Sequence, residues 1–468
     1  MPLLDHMRKP RLFRATALAA ALAVTATSMP QPVHAQVRDR LAPVRDAEIE
    51  DLMRDYTTPL LRAAGLVPSD VKITLINDFS FNAFVANGQR IFINVGAIVD
   101  SKKPNQLIGV LAHETGHIAG GHLAAMRERL DAAGTRAIIA MLLGAAAVAG
   151  AAAAGAGGNS IAGGASMAAT APQEMIKRDL LGYIRAQEQA ADQAGVSYLT
   201  KTGQSGRGML ETFKGFAEKS MFSQRFIDPY AQTHPMPQER IALLERLVNA
   251  SPTANAEDSP AFIHRHAMAR AKIIAFMRAP DVVARNYPAS NTSLPARYAR
   301  AVSAARFGNI NDSQKQIDAL IATEPDNPYF WELKGQMLLE AGRAKQAIEP
   351  LRRASRLAPK SGLIRMLLGE ALVATNDPAL LDQALTELRQ AIAREREAPK
   401  AYRNLATAYG RKGMLAQADA ASAQSYFYAG DVNTAKQLAA RAKSQLKVGS
   451  PDWLRADDIV NYRIPGKK

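Results

Sequence analysis

The stretch that most constrains this chain is His113-Glu114-Thr115-Gly116-His117, set between Leu107-Ile108-Gly109-Val110-Leu111-Ala112 and Ile118-Ala119-Gly120. On a helix each residue turns about 100°, so His113 and His117, four apart, share one face. Two neutral imidazoles on one face can hold a single divalent ion, and zinc suits nitrogen ligands. Glu114 is off that line but can reach a water bound to the ion. Water on a metal beside a carboxylate base is what peptide hydrolysis requires. The apolar flanks also fit a buried helix with two satisfied histidines, so these five residues leave both readings open.

A second helical stretch, Ile184 to Leu199, carries Glu188 and Asp192, again four apart. A carboxylate from a second helix completes a His-His zinc site that keeps one position open for water. Asp192 is then placed to hold a ligating imidazole by its far nitrogen. Such a pair is most often a solvated helix face. Here Ala190, Ala191, Ala194, Val196 and Leu199 argue for burial, and a buried carboxylate needs a partner. His122 lies five beyond His117, but the metzincin pattern requires histidine at 123, which is Leu123. On a continuous helix His122 points away from His113, which places it outside the metal shell and on the surface. Thr233-His234-Pro235-Met236-Pro237 has a backbone stiffened by two prolines. It reads either as a capping loop before a helix near Gln238 or as a loop bringing His234 to the metal. Arg240 follows, and joins Glu114, Asp192 and His234 as a candidate catalytic residue.

With 468 residues and no cysteine, the chain has room for two or three domains but none for disulfides, thiolate chemistry or a cysteine-based zinc site. Residues 1–35 read as an export signal. Arg8, Lys9, Arg11 and Arg14 precede an apolar Ala15–Val24 run too short to span a bilayer, and Val33-His34-Ala35 is a small-x-small cleavage site. A retained anchor is the alternative. Cleavage near Ala35 implies a periplasmic chain in a cell with two membranes. The formal charge is +15, of which +3 lies in residues 1–35. The remaining surface favours acidic proteins or membrane headgroups. Aromatic stacking platforms and nucleic-acid modules are missing, so nucleic acid is excluded as a partner.

In chain order, Arg45 to Ala64 reads as a helix closed by Gly65. Val71–Leu75, Phe81–Ala86 and Gln89–Val95 read as strands, with Asn87-Gly88 as a two-residue hairpin turn. Pro104 opens the metal helix, and the outer strand of this sheet can pair with an extended peptide. Residues 137–173 hold no charged side chain and are mostly Ala and Gly. They read as a mobile helical hairpin or lid touching lipid, or equally as a small-residue helix packed in the core. Residues 250–262, rich in Ser, Pro and Asn, read as a domain boundary.

Together His113-Glu114-x-x-His117, Glu188-x-x-Ala191-Asp192 and Thr233-His234-Pro235 resemble the HtpX-like gluzincin peptidases, over about residues 45–275. The resemblance implies an α+β zincin-like fold and one zinc ion per chain held by His113, His117 and Glu188. It makes Glu114 the general base, and His234 a histidine that can occupy the fourth zinc position and keep the enzyme latent. The C-terminal part is repetitive. Trp331, Gly335, Ala347, Leu351, Ala354 and Pro359 fall at tetratricopeptide landmarks, and Pro325 precedes Pro359 by 34 residues. Gly369, Ala384 and Ala391 mark the next unit, Tyr402, Ala406, Tyr409 and Ala418 another, and Ala435 and Ala442 a last, degenerate one. Such repeats stack into an all-α solenoid with a concave face. From 294 to 448 there are 23 Lys and Arg against 15 Asp and Glu, a net +8.

The expected organisation is therefore a signal at 1–35, a peptidase domain at 36–255, a helical connector at 256–293, repeats at 294–448 and a tail at 449–468. An exported peptidase of this family joined to such repeats is similar to periplasmic proteases that serve outer-membrane β-barrel assembly. That similarity implies misfolded protein substrates, docking on the barrel-assembly machinery through the repeats, peripheral membrane contact, and a chaperone role. The rival reading is a repeat-based adaptor or holdase with a latent or inactive peptidase domain.

Overall fold

The computed structural model describes residues 43–132, 158–222 and 229–463. The expected signal and its cleavage site lie outside these residues, as does most of the Ala/Gly-rich stretch 137–173. From Val44 to Lys468 the chain forms one compact unit. It is mostly helical with one small sheet.

The first helix, Ala47–Ala63, starts where the Asp46 side chain accepts the Ile49 N–H at 3.0 Å, and its chain turns away at Gly65, φ +75°. Ile49, Leu52, Met53, Tyr56 and Leu60 repeat at helical spacing and are all buried. Strand Arg90–Asn94 lies between Lys72–Ile76, to which it is parallel, and Ala83–Ala86, to which it is antiparallel. Ile91, Phe92 and Ile93 are accordingly buried in succession. Asn87 and Gly88 turn the chain with φ of 51° and 84°. The connection is three residues long rather than the expected two, because Ala86 pairs with Arg90. The third residue, Gln89, turns its carbonyl to the Lys72 N–H of the parallel strand at 3.0 Å.

The metal helix spans Pro104–Ala119 and is buried from Leu107 through Gly116. A helix over Gly158–Lys201 crosses it, so the expected Ile184–Leu199 segment is the end of a much longer element. Residues 158–173 belong to this one helix, and the rest of the expected hairpin or lid lies outside the described residues. Helices Arg207–Phe222 and Gln238–Ala250 close the other side of the core.

The expected boundary segment 250–262 is tied back to the peptidase domain. Ala254 is buried, and its carbonyl accepts from Ser205 Oγ at 2.6 Å and Arg207 Nε at 3.0 Å. The helix Pro260–Met277 belongs to two cores at once. Ala269 and Ile273 pack with the peptidase apolar cluster, and Met268, Ala271, Ile274 and Ala275 with that of the repeats. Within the expected connector it forms a wall shared by both cores. Five helix pairs follow, from Leu294–Phe307 to Pro451–Asn461. Gly335 lets Leu351 approach to where a Cβ would sit 2.4 Å away, and Gly369 does the same for Leu388 at 2.5 Å. Within the expected tail at 449–468, Pro451–Asn461 forms a helix. Its Ala456 and Ile459, one turn apart, are buried against Ala423, Ala435 and Ala439.

Candidate metal centre

Two helices cross to build the site, and Gly116 sets how closely. A Cβ there would stand 2.8 Å from the carbonyl oxygen of Ala191, so only the bare backbone lets the helix Gly158–Lys201 lie against the metal helix. That contact brings Glu188 to the imidazoles. Its Oε2 is 3.4 Å from His113 Nε2 and its Oε1 is 3.4 Å from His117 Nε2. The two Nε2 atoms are 3.0 Å apart. His234 enters from the loop after the short helix Pro229–Thr233. Its Nδ1 lies 3.0 Å from Glu188 Oε2 and 3.3 Å from His113 Nε2. His113, His117, Glu188 and His234 thus offer ligand atoms within 4.8 Å of one another. Three imidazoles and one carboxylate converging in a buried space are a donor set for zinc or a similar divalent ion.

A second ring of contacts orients these donors. The Nδ1–H of His113 faces Asp192 Oδ1 at 2.9 Å. Arg240, almost wholly buried, grips Asp192 through Nε at 2.7 Å and Nη2 at 2.8 Å. It also reaches Glu188 Oε2 at 2.8 Å and donates to the Pro235 carbonyl at 2.9 Å, which fixes the His234 loop. Glu114 is buried beside the group. Tyr230 donates to its Oε1 at 3.4 Å, while its Oε2 has no hydrogen-bond partner among the described residues.

The electrostatics follow from burial and pairing. Burial pushes the Glu114 carboxyl up to about 7, with His113 and His117 partly opposing it. Burial disfavours a charged His113, but Asp192 and Glu188 outweigh it and raise the imidazole to about 9. Burial alone leads at His117 and His234, and both are lowered. Glu188 and Asp192 resist desolvation: hydrogen bonds from the histidines hold Glu188 well below the usual carboxylate range, and Arg240 and His113 lower Asp192. Glu114, in contrast, is held near neutrality, where a group can both take and give a proton.

All seven candidate residues, His113, Glu114, His117, Glu188, Asp192, His234 and Arg240, thus meet in one place. Two others escaped the sequence reading. His122, expected on the surface and outside the metal shell, is half-buried and not among the four donors, but its Nδ1 lies 2.9 Å from His117 Nδ1. The expectation assumed a continuous helix, whereas the helix stops at Ala119 and the chain turns at Gly121, φ +63°. The Gly120-Gly121 pair was the available signal. Tyr230 stacks on His234 with centroids 4.5 Å apart, and an aromatic residue one helical turn before a loop histidine was its only mark.

Residues 43–248 match the family described as peptidase family M48, and residues 298–362 match a tetratricopeptide repeat. The chain carries an M48 peptidase domain. This M48 domain and its repeats are homologous to the β-barrel assembly-enhancing protease of Escherichia coli strain K12, with 24% identity over 439 residues, 91% of this chain and 85% of that one. The protein of the same name from Yersinia pestis is 23% identical over 436 residues, again 91% and 85%. Among solved structures, MamA MSR-1 C2 aligns over 38% of this chain and 95% of its own, at 18% identity and a TM-score of 0.29. MamA from Desulfovibrio magneticus RS-1 aligns over 36% and 85%, at 17% identity and a TM-score of 0.27. With its M48 domain and this homology, the chain is a metalloprotease.

Proposed function

We propose that the chain is a zinc-dependent endopeptidase of the periplasm that acts in quality control and assembly of outer-membrane β-barrel proteins. The observation that carries the chemistry is the four-donor cluster beside Glu114, whose Oε2 has no hydrogen-bond partner among the described residues. The biological setting rests on the relatives' name, on the expected export signal, and on the described residues containing no helix long and apolar enough to cross a membrane. The repeats supply a docking arm for protein partners, with the barrel-assembly machinery as the intended one, and misfolded or stalled proteins are the substrates.

In this reading His113, His117 and Glu188 hold the ion. When bound, zinc supplies Lewis acidity, which acidifies water and polarises a peptide carbonyl. Glu114 takes the proton of the attacking water and returns it to the leaving amine nitrogen. Asp192, clamped by Arg240, keeps His113 in the tautomer whose Nε2 lone pair faces the other donors. His234, seated among the same donors, closes the site at rest, and that placement favours a latent enzyme over a dead scaffold.

The test is elemental analysis of the purified chain beside a casein assay with and without chelator. One zinc per chain and chelator-sensitive cleavage are expected. Glu114→Gln should keep the metal and lose roughly 10²–10⁴-fold in turnover, the usual worth of a positioned base. Wild-type turnover in that variant would overturn the assignment.

A further inference from the structure

The bend at the end of the metal helix has a chemical consequence for His117. Gly120 donates its N–H to Gly116 at 2.9 Å and Gly121 donates to Ile118 at 3.1 Å, after which a new helix starts at residue 122. The His122 ring folds back onto the bare face of Gly120. A Cβ there would lie 2.4 Å from His122 Nε2 and 2.7 Å from its Cδ2. Folded back, the ring meets His117 edge-on, with centroids 5.0 Å apart, planes at 80°, and the two Nδ1 atoms 2.9 Å apart. The His122 carbonyl accepts from Gln187 at 3.4 Å, so the bend is tied to the residue beside Glu188.

We propose that His122 is a positioning residue for the metal site: its Nδ1 accepts the Nδ1–H of His117 and leaves the Nε2 lone pair of His117 facing Nε2 of His113. An imidazole has one proton to place and two nitrogens to place it on. A nitrogen that ligates an ion must be bare, so the other must find an acceptor. Asp192 is that acceptor for His113, and His122 for His117. His122 lies on the far side of His117 from the other three donors and is not itself a member of the cluster. The two acceptors differ, one a carboxylate backed by arginine and the other a neutral ring held by a glycine turn. The inference rests on the metal-site reading above.

The experiment uses the full mature chain, with zinc affinity measured by competition against a chromophoric chelator, the visible spectrum of the cobalt-loaded protein, and circular dichroism of the metal-free form. His122→Ala should weaken zinc binding about 10–100-fold, the usual cost of removing an outer partner of a ligand, and shift the cobalt bands. His122→Asn should recover most of the affinity, since its amide oxygen can accept the same proton. Gly120→Ala keeps the histidine but displaces its ring, so it should mimic His122→Ala; it carries the test if that variant fails to fold. Wild-type affinity and an unchanged cobalt spectrum in His122→Ala, or in Gly120→Ala, would overturn the proposal. So would a His122→Asn variant as weak as His122→Ala. A wild-type chain that binds no stoichiometric zinc would instead overturn the metal-site reading itself.

Discussion

His234 is held by two unrelated grips. Its ring stacks on Tyr230, and the carbonyl that follows it, on Pro235, accepts from Arg240. Its Nδ1 sits where three other donors converge, so in this conformation it competes with any substrate oxygen for the remaining position. A state that excludes substrate lowers the observed rate by the fraction of time it is populated. His234→Ala should therefore raise casein turnover several-fold while leaving zinc in place. An unchanged rate would reduce His234 to a loop residue, and a lower one would move it to the transition state.

Among the elements, the helix Pro260–Met277 joins the peptidase core through His266. That imidazole is 1% exposed; its Nε2 donates to the Ser101 carbonyl at 2.8 Å, and its Nδ1 accepts from Tyr56 at 3.2 Å. Burial, only partly offset by Ser101, lowers it from 6.5 to about 4. The unfolded chain takes up this proton below about 6.5, whereas the folded chain resists until about 4. Between those values the unfolded state binds more protons, so stability falls as the pH drops through that window. The loss from this one group approaches about 3 kcal/mol. Denaturant midpoints measured from pH 7 to pH 4 should show it, and His266→Asn should flatten that slope. An unchanged slope in the variant would remove His266 from the explanation.

At the scale of the whole molecule, Lys272 pins the repeats to the peptidase domain. Its ammonium lies 2.9 Å from Asp46, 3.2 Å from Glu48 and 3.9 Å from Glu332. Glu48 also accepts from Tyr298 of the first repeat helix at 2.8 Å. Burial opposes the charge on Lys272, but the surrounding acids outweigh it and hold its pKa well above the usual value. Burial likewise lifts Glu332 to about 8 despite the lysine. Removing the cation strands buried acids around an empty centre. Lys272→Ala should thus cost about 3–5 kcal/mol of unfolding free energy in a denaturant titration. A loss below about 1 kcal/mol would show the network to be hydrated and dispensable. One cooperative transition for both halves is expected in the wild type, because the helix Pro260–Met277 supplies apolar side chains to both cores.

What could be read from the residues was whatever repeats at short range. The i, i+4 spacing of His113 with His117 and of Glu188 with Asp192 fixes which side chains share a helix face, whatever the fold around them. The tetratricopeptide landmarks work the same way, since each glycine meets a leucine of the next helix within the same repeat. The sequence also marked Pro104 as a helix start and Asn87-Gly88 as a turn, because both are local backbone preferences. It did not show where a helix would stop and fold back. The contact of His122 with His117 was not legible because two adjacent glycines let the chain either continue or bend, and here it bends, with the His122 ring against Gly120. The packing of 250–262 and of the segment after 449 was not legible for a related reason. Polar, proline-rich composition reports exposure of a segment on average, whereas the Ser205–Ala254 bond and the burial of Ile459 depend on partners far away in the chain. Residue chemistry and helical period were thus enough to nominate the donors. Only the close approach that Gly116 permits between two helices, and the bond by which Arg240 holds the His234 loop, brought them to a single point.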